Sequence, residues 1–389
     1  MIRYDIVKKR VLMLSTVHLS GATRYHAKLA TTLDDAGYDL EVWSQGINRP
    51  GFLPKTIKVF LIGMPGKIER MIYLPRALNR ALFGGHDLII VVPPETVPLG
   101  LVAKLFGKKI LWDVEENAVE TILISDWIPE RFRSIISKTY HCFEKLGTIF
   151  FDGITYAEDS YASRFEKAKL KQVIHNFPFN PNGNKRTWRR IAEARWKQSG
   201  PRLIYVGVIT SHHGIDETIL AIKLLEDRLP DIQFDVLGDI QCSKHKRRLK
   251  QLIGELKKPA GVTLHGRIQF TKLQGYFKKA QIALFPLYDE PNFACSEGTK
   301  LFEYGLSGLP MVVGDLPIWR SMLDKADAGE TAIPADPESW ADSIYRLWSR
   351  GPDELQAAGK RLNDLIYERN AFWENEAIKL LRICNDILH

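Results

Sequence analysis

The sequence predicts an α/β protein of two doubly wound, Rossmann-like domains facing across a cleft. Three observations carry this. Short apolar runs alternate with helical patterns, the alternation breaks once at a stretch rich in Pro and Asn and then restarts, and 389 residues suffice for two cores. Such folds bind ligands beyond the carboxyl ends of their strands, so the loops after the apolar runs are where function is sought.

Lys9 to Ser15 reads as a buried strand, followed by a polar loop from His18 to Ala22. A helical pattern runs from Thr23 to Ala36 and stops at Gly37, and Tyr38 to Ser44 returns to strand. Asp87 to Val92 and Lys109 to Trp112 are two more strands, with helical spacing from Val97 to Phe106 between them. Ile154 to Tyr156 and Gln172 to His175 close this half. The segment from Asn176 to Asn184 is dense in Pro, Asn and Gly and reads as a hinge. Strands then recur at Arg202–Val208, Gln233–Leu237, Val262–His265, Ile282–Pro286 and Pro310–Val313, with a helix over Asp216–Arg228. The expected division is a first domain over 1–178, a linker over 179–200 and a second domain over 201–352. Helices over 353–389 are expected to pack back on the first domain.

An apolar share of 45% and a charged share of 26% are ordinary for a soluble globular protein and exclude disordered and fibrous classes. Cys142, Cys242, Cys295 and Cys384 lie far apart with no Cys-x-x-Cys, which suits a reducing compartment and argues against a zinc ribbon or disulfide scaffold. The run Val11–Leu14 behind Lys8-Lys9-Arg10 is too short for the core of an export signal. No stretch reaches the ~18 apolar residues of a membrane span; Asp87 to Phe106 is interrupted by Pro93, Pro94, Glu95 and Pro98. A cytoplasmic protein is expected, soluble or peripheral at the inner membrane face. The net charge of +8 fits an anionic partner. No zinc-finger spacing or aromatic-basic RNA motif occurs, so nucleic acid is not expected. Between Lys67 and Phe83 basic and apolar residues interleave, a pattern that suits contact with an anionic membrane or, equally, a surface helix with a solvated face.

The densest chemistry lies in Ser296–Pro310. Lys300 and Glu303 are three apart, so both face one side of a short helix. A lysine in a first turn is disfavoured by the helix dipole unless it meets an anion, and a nucleoside diphosphate would serve. A carboxylate such as Glu303 can accept from both ribose hydroxyls; a solvent-exposed pair of little energetic weight is the alternative. Tyr205–Asp216, with Gly207, His213 and Gly214, runs from strand through loop to helix, a common place for phosphate but without the Gly-x-Gly-x-x-Gly fingerprint. Asp113, Glu115 and Glu116 follow a strand directly and would act as base, bind sugar hydroxyls, hold one another's charge, or simply dress a helix amino terminus. Arg24 and Lys28, four apart, would bind a phosphate or form a solvated basic face. The chain has no Asp-x-Asp, His-Glu-x-x-His, Walker loop or Gly-x-Ser-x-Gly, so no metal is expected.

Taken in order, several segments resemble the family-4 glycosyltransferases of the B-type fold, and within them a bacterial branch of lipopolysaccharide and exopolysaccharide synthesis. They are Val17-His18 with Arg24 and Lys28, Leu111 to Glu116, His175 to Pro178, Val206 to Ile215, Pro291-Asn292, Thr299 to Tyr304, Gly308 to Pro310, Asp315 to Arg320 and Trp373 to Glu376. The resemblance implies a metal-independent hexosyltransferase that retains anomeric configuration and needs no cofactor. Its donor would be a nucleoside-diphosphate sugar, UDP ahead of GDP. Lys300 would meet the diphosphate and Glu303 the ribose, with Gly207, His213, Gly214 and Asn292 completing the donor site. Lys300, Glu115 and Glu116 would be catalytic, with His18, Arg24 and Asp113 on the side of a saccharide or lipid-linked acceptor. The chain departs from the family pattern at Cys295, where many relatives carry an acid (Glu297 lies nearby). It departs also at Val208 and His213 in place of Arg and Lys, and at Glu115 in place of His. A nucleotide-sugar-binding protein without turnover, a nucleotide-sugar epimerase and a basic lipid-surface scaffold are the rival readings.

Overall fold

Leu88–Val91, Gly153–Tyr156, Ile282–Phe285 and Met311–Gly314 are buried along their whole length, as strands covered on both faces must be. A computed structural model describes residues 8–66, 68–125, 128–180, 195, 200–240 and 242–389; the side chains of Phe270, Thr271 and Asn292 lie outside that description. It separates two units, Met1–Asn176 with Trp373–His389, and Phe177–Phe372. Most of the expected linker, 181–194 and 196–199, falls outside the described residues.

The first unit holds β1 (Arg10–Leu19), β2 (Asp39–Gln45), β3 (Lys58–Leu61), β4 (Leu88–Val91), β5 (Lys109–Val114), β6 (Gly153–Tyr156) and β7 (Lys171–Val173). They form one parallel sheet in the order β3-β2-β1-β4-β5-β6-β7. The second unit repeats the plan with β8 (Arg202–Val206), β9 (Gln233–Leu237), β10 (Val262–Gly266), β11 (Ile282–Phe285), β12 (Met311–Gly314) and β13 (Gly329–Ala332), ordered β10-β9-β8-β11-β12-β13. Each sheet reverses its strand order once, between β1 and β4 and between β8 and β11. A crevice opens at such a switch point beyond the strand carboxyl ends.

In the first unit, helices Leu74–Phe83, Val97–Leu105 and Glu130–Phe150 cover one sheet face around Val91, Trp112 and Ile154. The other face is covered by the Thr23–Asp35 segment and the terminal helix Trp373–Leu388, around Met13, Ile90 and Leu111. A Cβ on Gly153 of β6 would lie 2.7 Å from Ile387, so the terminal helix seats against bare backbone there. The 353–389 region divides: Pro352–Glu368 belongs to the second unit and packs on Thr299–Leu306, whereas Trp373–Leu388 belongs to the first.

Three details differ from the sequence reading. Strands β3 and β13 were not expected; both are sheet edges, where Lys58–Leu61 is half solvated and Gly329–Ala332 has no apolar run. Strand β1 runs on to Leu19 through a register shift after Leu14, so His18 sits at a strand end rather than in a loop. The first helix begins as a π-helical segment over Thr23–Ala30 and becomes α-helical only over Thr31–Asp35.

Candidate functional site

Two polar constellations stand at the carboxyl ends of the two sheets, one in each unit.

In the second unit, Gly298 with φ +65° starts the helix Thr299–Leu306. Lys300 Nζ donates to Glu303 Oε2 at 2.6 Å, and the side chains are 27% and 19% exposed. The pair is therefore half-buried, which disposes of the fully solvated alternative. The helix is pinned from three sides. The Tyr304 hydroxyl accepts from the Val206 N–H at the end of β8 (2.8 Å), Leu301 and Phe302 enter the core, and Trp319 Nε1 donates to the Ser296 carbonyl just before it (2.8 Å). Tyr304 was not singled out from the sequence, although it lies four residues after Lys300 and so one turn along the same helix.

The loop after β8 is held as closely. A Cβ on Gly238 would fall 1.6 Å from the Gly207 carbonyl, and one on Gly214, at φ +57°, would fall 2.1 Å from the Pro286 carbonyl. Both positions therefore require glycine, and they draw the loops after β8, β9 and β11 together at the switch point. Tyr288 N–H donates to the His212 carbonyl (3.1 Å), and His212 Nδ1 lies 2.9 Å from Glu290 Oε1. His213 Nδ1 lies 2.6 Å from Thr210 Oγ1. Burial, with His212 and His245 nearby, lowers the His213 pKa to about 4, so its ring is neutral at physiological pH. Val208 is exposed and contributes no charge. The side chain of Asn292, an expected donor contact, lies outside the described residues.

In the first unit, Arg24 and Lys28 come from the π-helical segment and are both buried, so neither forms a solvated basic face. Arg24 grips Asp113 with two hydrogen bonds (2.7 and 3.1 Å) and donates to the Ile174 carbonyl (2.9 Å). Thr155 Oγ1 donates to the same Asp113 at 2.7 Å. Lys28 donates to Asn176 Oδ1 at 2.6 Å. Asp113 and Arg24 are thereby structural partners of each other, with their hydrogen-bonding capacity largely used. His18 lies between Ser15 Oγ on Nδ1 (2.7 Å) and Glu115 Oε2 on Nε2 (2.8 Å). Burial alone would lower the His18 pKa, but the Glu115 carboxylate outweighs it and the net shift is upward. Burial likewise opposes ionisation of Glu115, and His18 and Arg24 overcome it, holding its pKa down. Glu115 Oε1 is buried without a hydrogen-bond partner among the described residues, 3.7 Å from Arg24 Nε. Glu116, next along, is exposed; desolvation and the Glu115 charge push its pKa up, to an extent its solvent contact limits. Asn117 caps the helix Ala118–Ile124 through its side chain.

Residues 187–362 match the family model described as glycosyl transferases group 1. The second unit is a group 1 glycosyl transferase domain. Over 181 aligned positions, which cover 43% of this chain, it is 30% identical to the D-inositol 3-phosphate glycosyltransferase of Arthrobacter sp. strain FB24, and the match spans 40% of that protein's length. The fold is that of a sucrose-phosphate synthase from Thermosynechococcus elongatus, at 18% identity over 97% of this chain and 99% of that one, with a TM-score of 0.74. It is also that of Anabaena HepE, solved in complex with UDP-glucose, at 15% identity over 97% and 99%, with a TM-score of 0.68. The two-Rossmann, B-type architecture of the sequence reading is thus the fold of the chain, and the Lys300–Glu303 helix falls inside the matched group 1 domain.

Proposed function

We propose that the protein transfers a hexose-type sugar from a nucleoside diphosphate to a saccharide or lipid-linked saccharide, with retention of anomeric configuration and without metal. The observation that carries this is the half-buried Lys300–Glu303 pair, with Lys300 in the first turn of the helix Thr299–Leu306 at the carboxyl edge of the second sheet. In the reaction the bond from the anomeric carbon to the diphosphate oxygen breaks and the acceptor oxygen bonds to the same face. The acceptor hydroxyl proton leaves with the diphosphate. Lys300 and the N–H groups of its helix stabilise the charge that builds on that leaving group. Glu303 accepts from the ribose, and Gly207 and Gly214 let loop backbone approach the phosphates. Uridine is preferred, by analogy with HepE, whose structure holds UDP-glucose.

Glu115 and Glu116 act on the acceptor side with His18. Glu115 is the better placed, since its Oε1 makes no hydrogen bond among the described residues and keeps capacity to accept from a sugar hydroxyl. Work at the cytoplasmic membrane face in cell-surface polysaccharide synthesis is the setting the sequence resemblance favours. Among the described residues no helix is long and apolar enough to cross a membrane.

The neutral His213 and apolar Val208 favour a second reading, donor binding without turnover. Thermal shift of the purified chain against UDP, GDP, TDP and ADP in chelator addresses the donor site, because a ligand of the folded state raises the melting temperature. A rise with one nucleotide that Lys300→Ala abolishes supports the site; no rise with any of them refutes it. Release of nucleoside diphosphate from the nucleotide-sugar donor when a saccharide acceptor is added to the same buffer separates transferase from binder.

A further inference from the structure

The first sheet reverses its order between β1 and β4, and a polar cluster without a role in the reading above stands at that switch point. Its members are Thr16 on β1, Glu95 after β4, and Arg70 from the turn Glu69–Tyr73. Pro93 and Pro94 carry the chain out of β4 into the turn Pro94–Thr96. Thr96 closes that turn, donating from its N–H and its hydroxyl to the Pro93 carbonyl (2.9 and 2.7 Å). Glu95 is thereby brought to β1, where Thr16 Oγ1 donates to Glu95 Oε1 at 2.6 Å. Gln45 Nε2 steadies Thr16 by donating to its carbonyl (2.6 Å). Arg70 Nε lies 2.9 Å from the same Glu95 Oε1, with the two side chains 17% and 10% exposed.

This ion pair leaves part of each group unused. Glu95 Oε2 and the terminal nitrogens of Arg70 make no hydrogen bond among the described residues. A carboxylate oxygen beside guanidinium N–H groups can both accept from a hydroxyl and donate to it, which is what neighbouring hydroxyls of a sugar ring require. The cluster also adjoins the acceptor-side pair. Ser15, next to Thr16 on β1, holds His18 (2.7 Å), and His18 holds Glu115 (2.8 Å).

Charge decides what this place admits. Among the described residues Arg24 is matched by Asp113, His18 by Glu115 and Arg70 by Glu95, and Lys28 is turned to Asn176. Glu116 adds a further acid. Burial raises the Tyr140 pKa, and the Glu144, Glu116 and Glu95 carboxylates raise it further, so Glu116 and Glu95 act on one neighbourhood. A phosphate or uronate entering there would meet carboxylates, with each nearby cation already engaged.

We infer that Arg70, Glu95 and Thr16 form the subsite that recognises the acceptor, and that it takes an uncharged, hydroxyl-bearing sugar ring and rejects an anionic one. This rests on the acceptor side lying in the first unit, as in the reading above, and narrows the acceptor's chemical class. It also gives the basic segment Lys67–Phe83 a task at the site for Arg70.

The test is a ligand-observed NMR titration of the full chain with the methyl glycosides of glucose, galactose and mannose, and with the 6-phosphate of each. The parent is expected to bind at least one neutral glycoside, at least about 10-fold more tightly than its 6-phosphate. Glu95→Gln should weaken that glycoside about 10-fold and narrow or reverse the discrimination, because Arg70 is left without its acid. Arg70→Met should weaken the glycoside by a similar factor and still exclude the phosphate. A pair that only supports the fold would lower the melting temperature and leave the ratio of the two ligands unchanged. Arg70→Met, at the more exposed position, carries the test if Glu95→Gln unfolds. Parent chain that binds no neutral glycoside, that binds the 6-phosphates equally or better, or variants that keep the parent's ratio and affinities would each overturn the proposal. The UDP thermal shift is expected to persist in both variants, whose changes lie in the other unit. Its absence from the parent would count against the donor site alone and leave the sugar titrations to decide the subsite.

Discussion

His18 Nε2 and Glu115 Oε2 lie 2.8 Å apart at the ends of β1 and β5, and each holds the other charged against the cost of burial. His18, raised above 6.5, contributes stability that is full below pH 6.5 and lost as pH rises through its folded pKa. Glu115, held below 4.5, contributes stability that is full above pH 4.5 and lost as pH falls through its folded pKa. The pair is thus strongest between those limits. Glu115→Gln should lower the His18 pKa, because burial and the Arg24 charge are then opposed by Asp113 alone; an imidazole NMR titration that does not move would contradict the assignment.

Lys300→Ala is expected to cut turnover by about 100-fold or more, the scale of losing one group that stabilises a departing anion. Glu303→Gln should mainly weaken nucleotide binding, by roughly 10-fold, because one strong acceptor for the ribose becomes a weaker one. Steady-state kinetics together with nucleotide titration separate the two effects.

Arg24→Ala leaves the Asp113 carboxylate buried with Thr155 as its remaining side-chain partner. Removing one member of a buried pair costs about 3–5 kcal/mol. Urea melts should show that loss, and Arg24→Ala/Asp113→Asn should recover part of it. A phosphate-binding role for Arg24 would instead appear as weaker ligand binding with stability intact.

Because His213 is held neutral, with a pKa of about 4, it adds no titration step to nucleotide binding near neutrality. A lowered histidine pKa works against the fold in acid: as pH drops below 6.5 the unfolded chain takes up a proton that the folded one refuses. His213→Gln should therefore flatten the decline of stability between pH 6.5 and about 4, and leave the pH dependence of nucleotide affinity unchanged. Melts and titrations across that range decide it.

The order of strands and helices was legible because parallel strands buried on both faces are unbroken apolar runs, as at Leu88–Val91 and Ile282–Phe285. Edge strands lack that signature, so β3 and β13 were missed. Lys300 and Glu303 could be paired from spacing alone, since three residues on a helix fix a common side. Arg24 and Asp113 could not, because 89 residues separate them and only the sheet order brings β5 beside the helix after β1.

The first domain is not continuous in sequence. Its helix Trp373–Leu388 follows the whole second domain, yet supplies Trp373, Leu380, Ile383 and Ile387 to the first domain's core. Trp373 Nε1 donates to Thr32 Oγ1 (3.0 Å), and Glu376 accepts from the His175 N–H (2.9 Å). During synthesis the amino-terminal half must therefore wait, with one face of its sheet uncovered, until nearly two hundred later residues have left the ribosome. The second domain, contiguous from Phe177 to Phe372, can close its own core first. The part of the protein made earliest is the part that finishes folding last.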